Sequence, residues 1–169
     1  MAIQTTFSMF QQILSDAVDA YSNLDTTFKS ALKTRISALP KLERVSLTAE
    51  NVESSTDATV SEANNSITVV SGSSGTIQWE MANFSTPVRI DGTLGEIGAL
   101  VGHVGGGSNT PIANSDINLY YRESSSGTYK AFGRNTVLNE VTSIQFQVIT
   151  GTLGVDGDLP QLHILAEQL

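Results

Sequence analysis

From Thr6 to Leu39, apolar side chains recur three and four positions apart. Phe7, Leu14, Tyr21 and Phe28 occupy one heptad position, and Phe10, Ala17, Leu24 and Ala31 occupy the other. Seven residues nearly complete two helical turns, so this spacing keeps the side chains in one seam along a helix. Ile13, Val18 and Ala20 flank the seam and Met9 extends it, a width that suits a helix with more than one neighbour. Thr5 and Thr6 offer side-chain oxygens to the first turn. Pro40 ends the pattern, because it has no amide hydrogen and disfavours helical geometry at Leu39. Asn23-Leu24-Asp25-Thr26-Thr27 offers a second arrangement, a helical hairpin with Asp25 capping its second helix. The heptad phase crosses this segment without slipping, which favours a single helix roughly 50 Å long at ~1.5 Å per residue.

After Leu42 the period falls to two. Val45, Leu47 and Ala49 alternate with Ser46 and Thr48; Ile77, Trp79 and Met81 alternate with Gln78 and Glu80. Val88 and Ile90 flank Arg89. The same reading holds for Ile117, Leu119 and Tyr121, for Ile144, Phe146 and Val148, and for Leu162, Ile164 and Ala166. Half-buried antiparallel strands produce this pattern, with one face on a core and the other in water. Turn-forming stretches separate the runs: Ser71–Gly75, Asp91-Gly92, Gly105–Asn109, Glu123–Gly127 and Gly154–Pro160. The Glu123–Gly127 stretch joins Tyr121 to Tyr129 as a hairpin. Glu50–Ser66, rich in Ser, Asn and Glu, reads as a loop or an edge strand. The chain is thus expected to be mainly β, with an N-terminal α-helical stem over residues 1–41 and an antiparallel β-sandwich head of jelly-roll type over residues 42–169.

Composition narrows what such a chain does. Charged residues make up 15% and hydrophobic residues 40%, which excludes charge-driven disorder. There is no cysteine, hence no disulfide framework, thiolate metal site or cysteine nucleophile. The net charge of −8 is uneven. Residues 1–44 carry four acids against five bases; from Val45 onward thirteen acids face four bases. An acidic head repels phosphate backbones, so nucleic acid is not an expected partner. No run of eighteen apolar residues and no basic amphipathic surface occurs, so no membrane insertion is expected, and the N-terminus has neither the charged nor the apolar region of a signal peptide.

Candidate chemistry is sparse. His103 and His163 lie far apart without metal-spaced partners, and no G-x-S-x-G elbow accompanies the many serines. Gly102–Gly107 lacks the Lys-Ser/Thr ending of a phosphate loop and leads to Pro111 and not to a helix, so it reads as a turn. Asp156 and Asp158 share a tight loop that invites comparison with calcium sites, although a solvated acidic turn accounts for them as well. Trp79 is in phase with Ile77 and Met81 and belongs to the core. Tyr120 and Phe132 fall opposite Leu119 and Ala131, and are expected on the outer face as a binding or subunit surface. No catalytic residue, metal or cofactor is expected.

One resemblance bears on function. Ile117-Asn118-Leu119-Tyr120-Tyr121-Arg122-Glu123, a Ser/Gly turn and Gly127-Thr128-Tyr129-Lys130-Ala131-Phe132 form a Tyr-Arg hairpin. It is followed by Val141–Ile149, a loop, Pro160 and a last strand at Leu162–Ile164. Together these resemble the β-sandwich modules of bacteriophage tail-fibre and baseplate proteins, though Gln147 stands where those modules often carry Arg. The resemblance implies a non-enzymatic virion protein, made in the host cytoplasm and released by lysis. It would be a homotrimer through its stem, with other virion proteins and a host surface glycan as further partners. The expected subunit interface is Phe7, Phe10, Leu14, Ala17, Tyr21, Leu24 and Phe28. A carbohydrate-binding module and a capsid decoration protein are the alternatives.

Overall fold

The computed structural model describes residues 3–4, 6–21, 23–38, 42–92 and 109–169. His103 and the Gly102–Gly107 turn, Pro40, and the side chains of Phe7 and Phe10 lie outside the described set. The chain is mainly β, and its two short helices come first. After β1 (Ile3–Gln4) follow α1 (Thr6–Ala20) and α2 (Thr26–Ser37). The strands then run β2 (Leu42–Leu47), β3 (Val52–Thr56), β4 (Ala58–Ser61), β5 (Ser66–Val69), β6 (Thr76–Trp79) and β7 (Ala82–Asp91). Next come β8 (Thr110–Pro111), β9 (Ile117–Arg122), β10 (Lys130–Ala131), β11 (Val137–Thr150), β12 (Gly157–Asp158) and β13 (Leu162–Gln168).

The structure breaks the single long helix that the heptad phase favours. Heptad continuity loses to local chemistry here. Asn23, Asp25, Thr26 and Thr27 bond readily to nearby backbone outside helices. Asp25 caps α2, its carboxylate accepting from the amides of Thr27 at 2.8 Å and Phe28 at 3.2 Å. The chain therefore turns back, and neither helix approaches the expected length. Their charges now meet: the Lys33 ammonium pairs with the Asp19 carboxylate, and Lys29 Nζ donates to the Asp19 carbonyl at 3.2 Å. The hairpin leaves β1 and returns to β2, and these two strands pair antiparallel with Ile3 opposite Val45.

Nine strands form one sheet, in the order β1-β2-β13-β7-β11-β6-β3, with β9 also on β11 and β10 on β9. The long β11 organises it. Val137–Ile144 pairs with β7, whereas Gln145–Thr150 runs between β6 and β9. Register shifts on both sides of Val141, and a left-handed Glu140 at φ 56°, mark a bulge that bends the strand. A second sheet of four strands runs β4-β5-β12-β8. Glu50–Ser66 supplies β3 and β4, the edge strand of each sheet.

The alternating apolar residues fill one core. Val45, Leu47, Ile77, Trp79, Ile144, Phe146, Val148 and Ile164 are all essentially without solvent contact. A one-residue slip would turn each of these rows outward, so the core fixes the register. Phe132 departs from the expectation of an exposed face. It is 5% exposed, with its ring edge-on to Tyr121 at 6.0 Å and to Phe146 at 5.5 Å between centroids. β10 pairs Ala131 with Tyr120 and leaves Ala131 exposed, so its alternation runs in the opposite phase to the one expected and carries Phe132 inward, its amide bonding the Leu119 carbonyl at 2.8 Å.

Candidate functional site

Among the described residues, a concavity lies on the helical hairpin. Leu14, Ala17, Val18 and Tyr21 of the first helix and its exit, Leu24 of the turn, and Leu32 and Ile36 of α2 line an apolar groove of about 410 Å³. Four of the seven residues expected at a subunit interface, Leu14, Ala17, Tyr21 and Leu24, are thus brought together. Phe28 is not among them. At 100° per residue the inward face of α2 is centred between Lys29, Leu32, Lys33 and Ile36, roughly 90° round from Phe28. Phe28 is left 56% exposed and Ala31 faces solvent.

Leu32 and Ile36 escaped a reading that carried the heptad phase through the turn. Their four-residue spacing was the available signal, and it becomes legible once α2 starts afresh at Asp25. Among the described residues, Val18 and Ile36 are the buried ones of the hairpin, at 8% and 9% exposure. Around them, Tyr21 is 67% and Ile13 62% exposed. Beside them the ammonium groups of Lys29 and Lys33 reach across the hairpin to Asp19.

The Asp25 cap sets how the hairpin responds to pH. Hydrogen bonds from the backbone of Phe28 and then Thr27 hold its carboxyl below the ordinary carboxylate value. A depressed pKa contributes stability that is present above the unfolded value and lost as pH falls through the folded one. Asp25→Ala is expected to speed amide exchange at Thr27 and Phe28 at neutral pH, leaving β11 amides unchanged. Below the carboxylate range the two proteins should exchange alike.

The remaining candidate residues disperse. His163 lies on the outward side of β13, its Nδ1 3.2 Å from Ser46 Oγ, and burial, with Arg44 nearby, pushes its pKa below the ordinary value. Asp156 is exposed and its carboxylate accepts from the Ser71 amide at 2.7 Å. Asp158, read as part of a solvated turn, is instead wholly buried in β12. Its carboxylate accepts from Thr68 Oγ1 at 2.5 Å, the Asn109 amide at 3.0 Å and Asn109 Nδ2 at 3.2 Å. Both oxygens are thus occupied by protein donors, which makes Asp158 a brace between β5, β12 and the approach to β8. Among the described residues no three His, Asp or Glu side chains converge as a metal site requires, and no helix is long and apolar enough to cross a membrane.

On the outer side of the sheet lies a polar network that the alternating pattern does not indicate. Gln145, 2% exposed, donates to the Trp79 carbonyl at 2.7 Å and to the Glu53 carboxylate, which also accepts from Gln78 at 2.6 Å. The Gln145 carbonyl oxygen accepts from Arg122 Nε at 2.7 Å. The guanidinium lies 4.7 Å from the centre of the Tyr129 ring. Burial pushes the Tyr129 phenol above its ordinary pKa, opposed by Arg122 and reinforced by Glu53. No protein-family model, curated protein or solved structure matches the chain.

Proposed function

We propose that this chain is a non-enzymatic virion component of the tail-fibre or baseplate kind, in which copies associate through the helical hairpin and the β head faces neighbouring virion proteins. The observation that carries the assembly part is the apolar groove, with Tyr21, Ile13 and Phe28 exposed around it. Large apolar side chains that gain ~1.5–3 kcal/mol each on burial are seldom left clustered on an isolated chain. Grooves and protruding rings on the same hairpin suit self-association, because each copy brings both the hole and the knob. The width of the apolar face favours a trimer. The two halves of the large sheet, which share β11 and close on one core, support reading the head as a sandwich of jelly-roll type.

Tyr21 and Phe28 are the cleanest probes, since the isolated chain already exposes them. Wild-type protein is expected to sediment as a trimer at micromolar concentration. Tyr21→Asp with Phe28→Asp should give monomers whose near-ultraviolet dichroism and unfolding midpoint match the wild-type head. A wild-type chain that remains monomeric at every accessible concentration rules out assembly through this face.

A further inference from the structure

Among the described residues the two sheets end on β1, β3, β4, β8 and β10. β1, β8 and β10 are two residues long; β8 ends on Pro111, and β10 carries Lys130. Shortness, proline and lysine are devices that keep a sheet edge from taking another strand. β3 and β4 have none of these. They continue one another from Val52 to Ser61, turned at Asp57, whose φ is 53°. A bulge beside Glu53 blunts the β3 half, which leaves β4 as the regular part of this edge.

The backbone of β4 faces two ways. The Val70 amide bonds the Asp57 carbonyl at 3.1 Å, and Ala58 lies opposite Val69. The backbone groups of Asp57 and Thr59 therefore serve β5, and those of Ala58 and Val60 point the other way. No described strand lies on that side, where the Ala58 carbonyl has one long contact, from Ser55 Oγ at 3.4 Å. The side chains of Ala58 and Val60 rest on the rim of the core and are only half-buried, so apolar groups of an added strand would complete their cover. Charge marks the surroundings. Residues 45–88 include five acids and no lysine or arginine. Asp57 and Glu62 flank β4, both exposed, and neither is in an ion pair among the described residues.

We infer that the β4 edge takes an extended segment of another protein as a further strand of the small sheet. Apolar residues of that segment lie beside Ala58 and Val60, and Lys or Arg residues at its alternate positions reach Asp57 and Glu62. A second copy of this chain does not fit, because its own Asp57 and Glu62 would face these acids across the pair. The edge is separate from the helical groove and holds whether or not copies assemble through it.

The probe is a synthetic peptide alternating valine and lysine over ~6 residues, a usual strand length. Added to the full chain, it is expected to give saturable amide shifts centred on 57–62 and to slow amide exchange at Ala58 and Val60, with affinity falling as salt is added. Glutamate in place of lysine should abolish binding. Proline in place of a middle valine keeps the charge but removes a ladder donor, and should abolish it too. Asp57→Asn, which tolerates the left-handed backbone, and Glu62→Gln should each weaken the lysine peptide about threefold. The inference is overturned if the lysine peptide shows no saturable binding or if its shifts centre outside the small sheet. It is also overturned if the proline peptide binds as well, for the surface then reads charge without a strand. Exchange at Val60 that slows with protein concentration alone would overturn it by making a second copy the occupant.

Discussion

Trp79→Ala is expected to cost about 4 kcal/mol, moving the urea midpoint down by about 2 M at a typical slope. The indole is wholly buried. Val52 lies opposite it on β3, and Gln145 from β11 bonds its carbonyl. Removing the side chain opens a cavity that the surrounding strands cannot close, because β6 is fixed on one side by β11 and on the other by β3. A second loss is polar. The indole Nε1 donates to the Thr48 carbonyl at 2.9 Å, and that oxygen, partly buried, loses its partner. A domain whose total stability is ~5–15 kcal/mol survives such a loss only narrowly. Val70→Ala, at a position 45% exposed, serves as the control and should shift the midpoint little. Equal shifts in the two variants would mean that Trp79 is not at the centre of the core.

Why Trp79 was legible and the hairpin was not comes down to the range of the forces involved. A strand has only two faces, so an apolar residue in phase with Ile77 has one place to go. The inward rows of β2, β6, β7, β9, β11 and β13 are accordingly those the alternation identifies. In the helical segment the same apolar residues fit two arrangements, one long seam or two short helices facing each other. What decides between them is the capping strength of Asp25 and the pairing of Asp19 with Lys33, ten and more residues apart along the chain. Periodicity carries no information about either. Leu14, Ala17, Tyr21 and Leu24 still share a groove because they precede the turn or lie in it, while Phe28 follows it and rotates away.

The outer network was illegible for a different reason. Gln145 reads as the polar partner of an alternating strand, which predicts water around it. Burial comes from Tyr129 and Arg122, whose chain positions depend on the β9–β10 loop, and from Glu53, at the far edge of the sheet. Short motifs cannot express a contact between residues 53 and 145. Asp158 illustrates the same point. Its neighbours Gly154, Gly157 and Pro160 speak of a loop, yet the backbone at Gly157 and Asp158 pairs with β5 on one side and β8 on the other.

Asp158→Ala is therefore expected to cost about 3 kcal/mol, far more than a change in an acidic surface turn. Three donors converge on this carboxylate: the Thr68 hydroxyl and two N–H groups of Asn109. Hydrogen bonds to a charged acceptor stabilise by ~1.5–3 kcal/mol each, and the donors left behind are only partly able to reach water. The small sheet depends on these links, because β8 and β12 have two residues each and little ladder of their own. Asp158→Asn keeps the shape but turns an amide toward donors at one end, so it should recover only part of the loss. Asp156→Ala, which removes one exposed contact to the Ser71 amide, should cost much less. Since both Asp158 oxygens already accept from protein groups, millimolar calcium is expected to leave the melting temperature of the wild-type chain unchanged. A calcium-dependent rise that Asp158→Ala abolishes would instead make this carboxylate a cation ligand, and the brace formed with Thr68 and Asn109 a resting state of that site.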